Sequence, residues 1–301
     1  MKLSVATCQF PVSADVRANA DHVLRQMRTA HERGADVAHF AECALSGYAG
    51  ADFESYAGFD WATLERCSRE VLDCARELGL WTIVGSSHPL TGRRKPHNSV
   101  YVIDDRGRII DRYDKRFCAG DRRARTGDLA HYSSGDHFAV FSIKGIRCGI
   151  LICHDYRYPE LYREYKKRRV QLMFHSFHAG NVRPAVLKQM KDATGREFHG
   201  LSGGETYPEI TMPATMRAAA ASSHVWISCS NTSARESCWP AFFVRADGVV
   251  TGRLRKNMAG VLMSTVDTEA PIYDSTAAWR DRAMAGTYHS GRLVEDPRSD
   301  D

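Results

Sequence analysis

Residues 138–161 read FAVFSIKGIRCGILICHDYRYPEL, and this stretch decides the class of fold. FAVFSI and IRCGILIC are two apolar runs of strand length, with Lys144-Gly145 between them as a hairpin turn. The second run stops at Cys153. Polar residues follow, and Pro159 then opens a helix reaching Arg169, proline being suited to a first helical turn. VQLMFHS, 170–176, returns as a strand. A hairpin therefore feeds directly into a β–α–β unit. A purely parallel, doubly wound sheet does not fit that order, whereas a layered α/β sandwich with mixed sheets does.

The rest of the chain repeats the rhythm. LSVATCQF is a strand, and residues 15–33 carry helical spacing through Val16, Val23, Leu24 and Met27 up to Gly34. VAHFAE, 37–42, is the next strand. A helix over 60–78 (Trp61, Leu64, Val71, Leu72, Ala75, Leu78) is stopped by Gly79. WTIVGSSHPL leads to a second hairpin, HNSVYVIDDRGRIIDRYDK, and AFFVRADGVVTGRL forms a third, turning at Asp247-Gly248. Between them MPATMRAAAASSH is a helix and VWISCSN a strand. Residues 188–210, KQMKDATGREFHGLSGGETYPEI, are polar and glycine-rich, which predicts an inserted loop that closes over the site as a lid. No linker or repeat divides the chain, so one domain is expected over 1–275, with 276–301 as a C-terminal tail.

Bulk properties exclude several classes. Of 301 residues, 43% are hydrophobic, enough for a large core. The net charge of +5 is too small to suggest nucleic acid. The run Lys166-Lys167-Arg168-Arg169 is either a solvated helix end beside a negative dipole terminus or a basic patch. No apolar stretch is long enough to span a membrane, and MKLSVATCQF is too short and polar for a signal peptide. The nine cysteines, among them Cys8, Cys43, Cys67, Cys74 and Cys118, show no zinc spacing. They read as reduced, buried residues of a cytoplasmic protein, with no metal and no cofactor.

Cys153 invites a different reading. Alone, a cysteine at a strand end is a small core residue. Two other strands, however, also end in ionisable residues: Glu42 after Val37–Ala41, and Lys115 after RIIDRYD. Each alone is a polar residue entering a loop. Together a thiol, a carboxylate and an ammonium match the needs of acyl transfer: a nucleophile, a proton acceptor and a cation for the oxyanion.

FAECALSGY around Glu42, YDKRF around Lys115 and GIRCGILICHDYRYPEL around Cys153, in that order and spacing, resemble the carbon–nitrogen hydrolase (nitrilase-like) superfamily. QLMFHSF, the helix at 212–224 and FFVRADGVV extend the resemblance over roughly 1–275. It implies a four-layer α-β-β-α sandwich with two mixed sheets, paired into a homodimer. It further implies Glu42 as general base, Cys153 as nucleophile forming a thioester, and Lys115 with the backbone N–H of His154 as oxyanion holder. Many members carry a second glutamate where this chain has Asp128, before the turn Ser134-Gly135-Asp136, so the supporting carboxylate is one methylene shorter. His175-Ser176 replaces the usual proline-containing pair after the next strand. The stretch from Asp155 to Glu160 is similar to amidase and carbamoylase branches, whereas nitrile hydrolysers tend to have Trp-Glu after the cysteine. A small linear amide or N-carbamoyl substrate follows, with Tyr48, Arg157, His175, Phe177 and His178 as candidate contacts. Arg157 could instead pair with Asp155 or Glu160, and either histidine could be structural. A catalytically silent binding scaffold, a nitrilase and an acyl transferase remain as alternatives.

Overall fold

The computed structural model describes residues 1–299. The strands are β1 (Lys2–Gln9), β2 (Val37–His39), β3 (Trp81–His88), β4 (His97–Ile103), β5 (Ile109–Asp114) and β6 (Val140–Ile143) in the first half. They continue as β7 (Ile146–Ile152), β8 (Leu172–Ser176), β9 (Trp226–Ser230), β10 (Phe242–Val244), β11 (Val250–Arg253) and β12 (Gly260–Asp267). The helices are α1 (Val16–Glu32), α2 (Trp61–Leu78), α3 (Asp128–His131), α4 (Pro159–Lys167), α5 (Pro184–Ala193), α6 (His199–Ser202), α7 (Tyr207–Ser223) and α8 (Arg280–Met284).

Two six-stranded sheets result, in the orders β12-β1-β2-β3-β4-β5 and β11-β10-β9-β8-β7-β6. Each has a parallel centre, β1-β2-β3 or β7-β8-β9, flanked by antiparallel strands. This is the expected mixed architecture. Because β4 reverses β3 and β5 reverses β4, β5 runs in the same direction as β2. Strand alternation then sorts the core. Val5, Val37, Ile83 and Val100 of the first sheet pack in one cluster with Ile150, Phe174 and Ile227 of the second. Their neighbours Ala6, Ala38 and Val84 face a separate cluster beneath α1 and α2. Leu161, Tyr165, Met212 and Met216 of α4 and α7 cover the outer side of the second sheet. Helices, sheet, sheet and helices make four layers.

The inter-sheet layer also holds a polar seam. His39 bonds Ser228 Oγ (2.8 Å) through Nδ1 and Ser176 Oγ (3.0 Å) through Nε2, and Ser228 bonds Thr7 Oγ1 (2.7 Å). Burial lowers the His39 imidazole to about 3, so it bridges the sheets as a neutral group.

Three departures from the sequence reading have physical causes. Residues 188–210 are largely helical: α5, a 3-10 turn over Arg196–Phe198, α6 and the start of α7. Their order comes from ion pairs one turn apart, Lys188–Asp192 (2.6 Å) and Arg196–Asp192 (3.0 Å), and from the Thr206 cap on Glu209 N–H (3.3 Å). No residue of α5 or α6 is buried, so no apolar period marks them. β12, left unassigned by sequence, pairs with β1 along its full length. In the basic run, Lys167 and Arg168 pair with Glu164 (2.9 and 2.7 Å) and Lys166 donates to His224 O (3.1 Å), as a helix end would. The segment beyond residue 275 carries α8, docked by Arg280 on Asp274 (2.7 Å); residues 300 and 301 of the expected tail lie outside the described residues.

The turn that carries Glu42 lies directly on β3. A Cβ at Gly85 would stand 2.2 Å from Ala41 O and 2.6 Å from Cys43 N. Gly85→Ala is therefore expected to destabilise the protein by roughly 1–3 kcal/mol through overpacking. Urea unfolding measures this, and an unchanged midpoint would show that the turn can yield.

Candidate active site

Four strand ends converge at one edge of the sandwich. Beyond β2 the chain turns tightly at Glu42, whose N–H donates to Phe177 O (3.2 Å) just beyond β8. Lys115 is the first residue past β5, and its N–H donates to Asn98 O on β4 (2.8 Å). Cys153 follows β7 and opens a 3-10 turn to Arg157.

Lys115 and Glu42 are fully buried, and Asp128 is 2% exposed. The Lys115 Nζ lies 2.7 Å from Glu42 Oε1 and 2.7 Å from Asp128 Oδ2. Burial alone would lower the Lys115 amine, but Asp128 and Glu42 outweigh it and hold a firm ammonium. Burial likewise opposes ionisation of Asp128, yet Lys115, the Tyr48 hydroxyl and the Ala119 N–H (2.8 Å) hold its carboxyl below the usual range. The shorter side chain reaches the lysine because Asp128 is the first residue of α3 and points inward from there. Asn98 Nδ2 donates to the same Glu42 Oε1 (2.7 Å), while Glu42 Oε2 is buried with no partner among the described residues.

Burial pushes the Cys153 thiol well up, and the Glu42 charge adds to this. Lys115 and the main-chain N–H of His178 act in the opposite direction without reversing it. The resting thiol is protonated. Its backbone sits at φ +39, in the left-handed region that β-carbon residues enter at a cost of about 1–2 kcal/mol. Several bonds hold that turn. Asp155 accepts from Ile152 N–H (3.1 Å), Phe117 N–H (2.9 Å) and Tyr113 OH (2.8 Å), and His175 Nε2 donates to Cys153 O (3.1 Å).

The other sequence candidates divide. His175 is buried with both nitrogens engaged, Nδ1 with Tyr162 OH (2.6 Å), and burial lowers it to about 3. Its ring stacks on the buried Phe177 (4.3 Å). Tyr48 bonds Asp128, and its ring stacks on His178 (4.9 Å). His154 is half-buried, and burial with Lys115 and Arg157 nearby lowers its ring to about 4. Arg157 is exposed and lies over the Tyr156 and Tyr207 rings (4.8 and 5.2 Å). It makes no ion pair with Asp155 or Glu160 among the described residues, since Asp155 is buried among other donors. Sequence reasoning missed Asn98, Asp52 and the anchoring role of Asp155. Only Asp155 gave a signal, by its place two residues after the cysteine.

An apolar groove of about 430 Å³ between α2, β3 and β4 (Trp61, Leu64, Leu72, Val84, Tyr101) lies apart from this cluster. None of Glu42, Lys115, Asp128 and Cys153 lines that groove. Among the described residues no three His, Cys, Asp or Glu side chains gather as metal ligands, and no helix is long and apolar enough to cross a membrane.

Asp155 gives a pH test of the turn. Burial raises its carboxyl to about 6, although its three donors pull the other way. The fold thus takes up a proton below that value. The stability contributed by protonation is complete below the unfolded value near 4 and is lost as pH rises through about 6. The unfolding free energy of the wild type relative to Asp155→Asn should fall by on the order of 2 kcal/mol between about pH 4 and pH 7. Denaturant titrations at several pH values check the slope; a flat difference would mean the carboxylate is charged throughout.

Comparisons with known proteins bear on the family and the fold. The model of the carbon-nitrogen hydrolase family matches residues 4–271. Omega-amidase NIT2 of Xenopus tropicalis is 27% identical over 178 residues, 58% of this chain and 63% of that protein. The match thus spans less than two thirds of that relative's length. An amidase from Nesterenkonia sp. superposes with a TM-score of 0.69 at 18% identity, over 88% of this chain and 90% of that one. A variant of that amidase (TM-score 0.69, 17% identity, the same coverage) shows covalent addition of the acetamide moiety of fluoroacetamide at its active-site cysteine. With a family match over nearly all of its length and a two-sheet sandwich of the same fold, the chain belongs to the carbon–nitrogen hydrolase family.

Proposed function

We propose that this chain hydrolyses the C–N bond of a small linear amide or N-carbamoyl compound through a thioester on Cys153. The observation that carries the reading is the division of labour on Glu42. Oε1 is held by Lys115 and Asn98, while the buried Oε2 has no partner among the described residues and belongs to the same cluster as a protonated thiol. A carboxylate so arranged can accept the thiol proton as sulfur attacks the carbonyl carbon. The oxyanion forms between the Lys115 ammonium and the His154 N–H. Glu42 returns the proton to the leaving nitrogen, and ammonia or an amine departs. It then takes a proton from water, hydroxide attacks the thioester, and the acid leaves as the thiol is restored. Asp128 keeps Lys115 charged throughout.

The amidase names of the relatives, and the covalent adduct on the Nesterenkonia cysteine, support amides over nitriles. Arg157, held over two aromatic rings and unpaired, is the group offered to a substrate carboxylate, beside a wall formed by the first turn of α7 at Tyr207. The homodimeric, cytoplasmic setting expected from the sequence belongs to the same proposal.

An ammonia-release screen over ω-amides, ureido acids and nitriles tests it, with Cys153→Ala as the blank. Turnover should fall at least about 1,000-fold in that variant while the fold is kept. Glu42→Gln should accumulate an acyl adduct on Cys153 that intact mass identifies. Equal turnover by Cys153→Ala overturns the mechanism, and silence of the wild type on every class overturns the activity.

A further inference from the structure

Beside the titratable cluster lies a second buried ion pair that the mechanism above does not use. His178 Nε2 lies 2.9 Å from Asp52 Oδ2, with side chains 1% and 0% exposed. Asp52 is held from two further sides: Tyr48 N–H donates to Oδ2 (2.9 Å), and Asn181 Nδ2 donates to Oδ1 (3.0 Å). The main chain of His178 also favours the protonated ring. Burial opposes that charge, but Asp52 outweighs burial and raises the group, while Asp52 itself is held low by His178 against its own burial.

Two features of the site hang on this pair. The main chain of His178 acts on the Cys153 thiol, favouring its ionised form. The imidazole face lies flat against Tyr48 (4.9 Å, 28° between planes), whose hydroxyl donates to Asp128. The preceding residue, Phe177, accepts the Glu42 N–H (3.2 Å). A charged residue buried at this point is costly unless it fixes a geometry.

We propose that the His178–Asp52 pair is a positioning device for the thiol, holding the His178 main chain on the Cys153 thiol and the Tyr48 hydroxyl on Asp128. His178 is then not a substrate contact. The pair acts through Cys153 and Asp128 and touches no reacting atom with its imidazole. The charged groups facing His178 are Asp52 and Glu42, and those facing the thiol are Glu42, Lys115 and Asp128.

The test is the rate of Cys153 alkylation by iodoacetamide across pH, read by peptide mass in the full-length protein. Asp52→Asn should slow alkylation about 10-fold near neutral pH and move its midpoint up by about one pH unit. It should also lower kcat while leaving KM unchanged. The kcat arm rests on the amidase reading, but the alkylation arm does not, so a wild type that turns over no amide leaves the comparison intact. A folded Asp52→Asn with wild-type rate and midpoint overturns the proposal. So does a raised KM with an unchanged alkylation profile, which would make His178 a substrate contact. If Asp52→Asn does not fold, Asn181→Ala takes its place, removing one bond to Asp52 while keeping the ion pair. A several-fold slower alkylation is expected there, and an unchanged rate overturns the proposal.

Discussion

A lysine ammonium with no access to water is the constraint on which the site depends. Removing such an ion from solvent costs several kcal/mol, and its attraction to buried partners repays this only with good geometry and satisfied donors. Lys115 meets that condition with two carboxylates, each 2.7 Å away. Neither carboxylate can be dispensed with lightly, because deleting one partner of a buried pair leaves an uncompensated charge. The cluster of Glu42, Lys115 and Asp128 carries one surplus negative charge. Burial is the main reason the adjacent thiol is pushed up and not down, and the two carboxylates add to it against the opposing lysine. A cysteine beside a lone cation rests as thiolate. Here burial and the neighbouring carboxylates keep it a thiol.

The fold meets this constraint by placing one member of the cluster at each of several strand ends. Glu42 and Lys115 come from one sheet and Cys153 from the other, so the site exists only where the two sheets are held in fixed register. The polar seam through His39, Ser176 and Ser228 lies between the sheets close to these ends, and its directional bonds resist the sliding that apolar packing alone tolerates. The Glu42 N–H to Phe177 O bond repeats the tie nearer the site. The position of Cys153 is further secured by Asp155, a carboxylate whose three donors come from β5, the segment beyond it and β7.

Much of this was legible in the sequence because it is local. An apolar run that stops at an ionisable residue is a pattern of neighbours, and it marked Glu42, Lys115 and Cys153 one strand at a time. Hairpins with Gly at the turn marked the mixed sheets. What stayed hidden depends on partners distant in the chain. β12 reads GVLMSTVD, with no clean alternation, and is a strand because β1 is beside it. α5 and α6 bury nothing, so periodicity had no face to detect. Asn98 looks like any polar residue near the start of a strand until Glu42, 56 residues away, accepts its amide. Asp128 as a shorter replacement for glutamate left its reach open, and only its position at the start of α3 resolves it.

His175 and His178 show how far partners outweigh residue type. They lie three positions apart at the end of one strand, both buried, and the sequence offers no ground for separating them. The first faces a carbonyl, which takes the proton on Nε2, and a tyrosine hydroxyl, and burial lowers it to about 3, so the ring is neutral. The second faces a carboxylate, which with its own main chain favours the charged ring. Burial acts in the same direction on both, so it cannot be what distinguishes them. The difference lies in Asp52, contributed by the loop after Glu42. That loop thus sets the protonation of a residue on the opposite sheet, and through its main chain the surroundings of the thiol.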